Sequence, residues 1–97
     1  MACKITWTKQ ADSDLYKMVE YAEQNWSERS FHNFINKVFA SIELLAEFPE
    51  MGLIENNQKK LFSFLAVNNV RVFYTKKQDE IVLLAFLDIR SNRKRPS

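Results

Sequence analysis

The sequence predicts an α+β fold of order β-α-α-β-β-β, with a helical hairpin packed on one face of a curved, mainly antiparallel four-stranded sheet. Three observations carry that expectation. Two long stretches repeat apolar residues at helical spacing, three strand-like runs crowd into residues 60–88, and the chain holds one Gly and two Pro, which leaves little length for linkers. Ninety-seven residues, 46% of them hydrophobic, make a single domain over 1–97 with one core.

The elements follow in order. Cys3, Ile5 and Trp7 alternate with Lys4 and Thr6, the period of a short half-buried strand. Thr8 is placed to cap a helix over about 9–25, whose apolar residues Ala11, Leu15, Met18, Val19, Ala22 and Trp26 oppose Asp12, Asp14, Glu20 and Glu23. Asn25 to Ser27 breaks it. Ser27 is a good N-cap for a second helix and Glu28 suits its first turn. Phe31, Phe34, Ile35, Val38, Phe39, Ile42, Leu45 and Ala46 give that helix a broad apolar stripe, and "EFPEMG" ends it, because the residue before a proline avoids the helical region. The strand-like runs are "KLFSFLAV" (60–67), "NVRVFYT" (69–75) and "EIVLLAFLD" (80–88), the last two joined by a short turn at 76–79.

This layout leaves a mismatch. Ile81 to Leu87 is apolar on both faces, as is 60–67, where Phe62, Phe64 and Ala66 point one way and Leu61, Leu65 and Val67 the other. Two helices cover one face only. Either the sheet curls into a half-barrel, or a partner covers the second face.

Charge is uneven. Four of the 14 cations (Arg90, Arg93, Lys94, Arg95) and none of the 12 anions lie in residues 90–97, leaving ten cations against twelve anions, a charge of −2, in the body. A near-neutral body with a basic tail points to a local electrostatic site, or to a solubilising terminus. If all four cations met duplex phosphates the salt slope would be roughly −3.6, which suits assisted docking better than sequence reading. The lone Cys3 offers no disulfide partner, which favours a reducing, cytoplasmic compartment. No apolar run approaches the ~18 residues of a membrane span, and the N-terminus lacks the apolar core of a signal peptide. One Cys, one His and scattered carboxylates give no metal-ligand spacing and point to no cofactor.

In this order the segments "ITWT", "LLAEFPEMG", "RVFY" and "FLDIR" resemble the RelE/ParE toxin superfamily, the toxic partners of bacterial type II toxin–antitoxin modules. "LLAEFPEMG" is similar to the family's Leu-x-x-x-Pro-x-x-Gly junction after the second helix, "RVFY" to its arginine-led strand, and Arg90 to its C-terminal arginine. Resemblance to the RelE side implies a ribosome-dependent endoribonuclease that cuts mRNA; resemblance to the ParE side implies a poison of DNA gyrase. Both imply a cognate antitoxin whose C-terminal segment wraps the toxin.

As a nuclease the chain would use Arg71 and Arg90 to stabilise phosphorane charge. The lysines that RelE-like nucleases carry on the preceding strand have Phe62 and Phe64 in their places, and no tyrosine follows Arg90. The reading is therefore ParE-like or non-nucleolytic, with the mRNA endoribonuclease, or a non-toxic module binding antitoxin and DNA, as rivals. Arg90, Arg93, Lys94 and Arg95 are the expected contacts to target or nucleic acid; Phe62, Phe64 and Phe73 are the expected antitoxin-contacting face. His32, the one histidine, reads as a surface or half-buried helix residue, and Tyr74 as core, since period two turns it from Arg71. Arg71 among Val70, Val72 and Phe73 needs either a carboxylate such as Asp88 or a function. The sequence is compatible with a homodimer.

Overall fold

The computed structural model describes residues 2–67 and 69–89. Its elements are β1 (Lys4–Trp7), α1 (Lys9–Asn25), α2 (Glu28–Glu47), β2 (Leu53–Asn56), β3 (Leu61–Val67), β4 (Val70–Lys77) and β5 (Glu80–Asp88). The sheet order is β1-β5-β4-β3-β2, with β1 parallel to β5 and the other pairs antiparallel.

The described residues thus form five strands rather than the expected four. The added one, β2, is an edge strand exposed at all four positions. Buried alternation is what betrays a strand in sequence, and "LIEN" has none; only backbone pairing with β3 defines it. The turn before β5 is also shorter than expected. Lys76 and Lys77 continue β4, leaving Gln78 and Asp79 as a two-residue connection in which Gln78 adopts φ 47°.

Local chemistry fixes the helix ends. Thr8 closes β1 by donating its hydroxyl to the Leu83 carbonyl (2.8 Å) and caps α1 by accepting from Ala11 N–H (3.1 Å). Ser27 caps α2 in the same way, accepting from Ser30 N–H at 3.1 Å. Asp14 on α1 accepts the Phe86 N–H (3.1 Å), a strand donor beyond the last residue of β1, and Ser41 on α2 donates to the Ala66 carbonyl. These bonds seat both helices on one side of the sheet.

That side holds the core. Ile81, Leu83, Val72, Tyr74 and Val70 are at most 1% exposed and pack with Ala11, Val38 and Leu45 from the helices. Trp7 stacks on Phe86 at 5.5 Å between ring centroids. The register shifts on β5, where Ala85 faces Phe73 but Leu83 faces Tyr74, so Leu84 is an extra residue. This bulge lets Ile81, Leu83 and Phe86 share the core face despite their irregular spacing.

Candidate functional site

No described helix lies on the other side of the sheet. Cross-strand register places Leu65, Arg71 and Leu87 in one row of that open face and Ser63, Phe73 and Ala85 in the next, with Leu53 of β2 beside Ser63. Leu65 is 47% and Leu53 62% exposed. Arg71, Phe73, Ala85 and Leu87 are half-buried, and Ser63 is fully buried. Among the described residues the apolar part of this face carries one guanidinium, on the central strand and near the end of the sheet opposite Lys77.

Three strands hold that guanidinium. Arg71 Nη1 donates to Ser63 Oγ at 2.9 Å, and Ser63 Oγ in turn donates to Glu55 Oε2 at 2.5 Å. The chain Arg71–Ser63–Glu55 spans β4, β3 and β2. Sequence reading missed Ser63 and Glu55. The available signal for Ser63 was its position as the one hydroxyl inside "LFSFLAV"; Glu55 had none, because β2 was not foreseen.

Arg71 is therefore on the open face, but its expected carboxylate is not its partner. Register sets Asp88 opposite Val70, on the row that ends the strand, and Asp88 accepts from Asn69 Nδ2 at 3.3 Å. Arg90, Arg93, Lys94 and Arg95 lie outside the described residues. The three aromatics expected to form one contact face do not share a side. Phe62 and Phe64 pack against Tyr74 beneath the helices, Phe64 only 4% exposed, whereas Phe73 faces outward. The cause is parity: 62 and 64 pair with 74 and 72, which carry the core.

His32 is on the surface of α2, 3.8 Å from the Glu28 carboxylate and edge-on to Phe31. Among the described residues no group of three His, Cys, Asp or Glu gathers at metal-binding range, and no helix is long and apolar enough to cross a membrane.

Tyr74 belongs to the core and to the junction after α2. Its hydroxyl donates to the Pro49 carbonyl at 3.2 Å. Burial pushes its pKa up from 10.0, and the hydrogen bond with the Gly52 backbone pulls it partly back. Because the folded value lies above the unfolded one, Tyr74 adds stability that is present below pH 10.0 and lost as pH rises through the folded value. Tyr74→Phe is expected to cost about 1 kcal/mol at neutral pH. The difference from wild type should shrink as denaturant titrations move above pH 10; a constant difference would refute the burial effect.

Residues 5–96 match the family model described as the ParE toxin of the type II toxin–antitoxin system parDE. The chain is 30% identical over 67 residues to Toxin ParE1 of Caulobacter vibrioides, covering 69% of this chain and 70% of that protein. Its fold is similar to that in the chromosomal ParDE system from P. aeruginosa (TM-score 0.71, 14% identity, 91% of this chain and 97% of that one). It is also similar to the toxin–antitoxin complex RelBE2 from Mycobacterium tuberculosis (TM-score 0.59, 18% identity, 89% and 96%).

Proposed function

We propose that this chain, which belongs to the ParE toxin family of type II toxin–antitoxin systems, arrests bacterial growth by inhibiting DNA gyrase and is silenced by an antitoxin encoded beside it. The observation that carries the reading is the ParE match across 5–96. The site geometry supports it. Cutting RNA by 2′-hydroxyl attack needs a proton acceptor and donor beside the phosphate-binding cation. Tyr74, the nearest such candidate along β4, is turned into the core and bonded to Pro49, while the Glu55 carboxylate is engaged by Ser63, which also holds Arg71.

Inducing the chain in a bacterial host tests this. The expected result is growth arrest with filamentation and a DNA-damage response, loss of supercoiling by purified gyrase in the presence of the chain, and relief on co-expression of the adjoining reading frame. Collapse of translation with cleaved mRNA would support the endoribonuclease instead, and absence of arrest would support a binding module.

A further inference from the structure

We infer that Arg71 is the anchor for one acidic side chain of the antitoxin, whose apolar residues cover the open sheet face beside it. The inference rests on the toxin–antitoxin reading and deepens it. Arg71 is half-buried, and among the described residues the hydrogen bond it makes is the one to Ser63 and no carboxylate lies within ion-pair distance of it. A guanidinium carries five N–H donors in a planar fork. Half out of water between Leu65 and Leu87 and bonded to Ser63 through one nitrogen, its fork keeps donors that a partner's carboxylate would take in a bidentate pair.

Ser63 and Glu55 prepare this site. Because Ser63 gives its proton to Glu55, it turns lone pairs to Arg71 and cannot itself donate to a ligand. It fixes the fork without satisfying it. Glu55 is exposed at the sheet edge, so solvent screens its charge.

The surroundings favour a protein carboxylate over a phosphate backbone. Leu65 and Leu87 flank Arg71, with Phe73 and Leu53 in the next row, and among the described residues the other open-face cations, Lys4 and Lys77, lie in the row of Glu80 at the far end of the sheet. Six residues of strand separate Lys77 from Arg71, about 20 Å. Among the described residues, a nucleic acid tracking this face would meet one cation where several are needed.

The test is titration calorimetry of the full chain with the protein encoded by the adjoining reading frame, for wild type, Arg71→Gln, Arg71→Lys and Ser63→Ala. Arg71→Gln should bind about 30-fold more weakly or worse. Arg71→Lys should recover part of that, since it keeps charge but not the fork. Ser63→Ala should lose roughly 3–10-fold. One Asp→Asn or Glu→Gln change in the partner should weaken wild type as much as Arg71→Gln does, and add little in combination with it. Matching thermal unfolding of the variants checks folding; if Arg71→Gln does not fold, Arg71→Lys and the partner scan decide. If wild type does not bind, the toxin–antitoxin reading fails and this inference with it. If wild type binds and Arg71→Gln or the partner's amide variants bind within about twofold, the inference alone fails. It also fails if Arg71→Gln weakens binding of a 12-nucleotide RNA while leaving the protein complex intact.

Discussion

Gly52→Ala is expected to lower the thermal midpoint by roughly 12–24 °C, a loss of about 3 kcal/mol or more. A Cβ at this position would stand 2.1 Å from Tyr74 Oη and 2.9 Å from both Tyr74 Cζ and the Ser63 carbonyl. None of the three can retreat cheaply. Tyr74 is fully buried and packed between Phe62 and Phe64, and Ser63 is backbone in the middle of β3. Moving the ring would also strip its hydroxyl from the Pro49 carbonyl. The double variant Gly52→Ala/Tyr74→Phe removes the 2.1 Å contact and leaves both 2.9 Å contacts, so it should recover only part of the loss. Differential scanning calorimetry on the four-member cycle decides; a Gly52→Ala protein melting within about 4 °C of wild type would show that the junction gives way.

The same junction explains what the sequence could reveal. Pro49 and Gly52 stand out as two of the chain's three Gly and Pro residues, and their spacing resembles a family signature. Their physical reason is invisible without Tyr74, which lies more than twenty residues along. Proline ends α2 and offers its carbonyl, and glycine lets the backbone pass against the phenol. Helices α1 and α2 were legible because their caps are local and their apolar stripes long. The strand β2 was not, since an exposed edge strand has no burial pattern.

The open face was half legible. A mismatch between two helices and a sheet apolar on both sides follows from alternation alone, and Arg71 is conspicuous within it. Which side each aromatic takes follows from parity, and parity along β5 is reset by a bulge at Leu84 that no residue there announces. The grouping of Phe62 and Phe64 on one face with Phe73 missed on a different point. Phe62, Phe64 and Ala66 were correctly grouped, but the choice of which group meets the helices depends on tertiary docking. Bonds such as Ser41 to the Ala66 carbonyl and Cys3 N–H to the Ala46 carbonyl settle that choice.

Adjacent positions on β3 should therefore respond oppositely to the same substitution. Phe64→Asp places a carboxylate 4% exposed among Tyr74, Val72 and the helices. Losing the ring and burying an unpaired charge should cost more than about 4–5 kcal/mol, a large part of the 5–15 kcal/mol that holds such a domain together. The chain should not fold, by circular dichroism and by loss of a cooperative transition. Leu65→Asp, one residue later, sits 47% exposed and directly opposite Arg71. A cross-strand pair of opposite charges is worth about 0.2–1 kcal/mol, so this variant should fold with near wild-type stability. It also supplies from within the chain the carboxylate that Arg71 otherwise takes from a partner, and it repels an acidic residue approaching the same spot. Antitoxin binding should fall about 30-fold or more while the thermal midpoint stays put. A Leu65→Asp protein that unfolds would mean this face is packed by the chain itself. One that folds and binds as wild type would mean the open side of the sheet is not where the antitoxin docks.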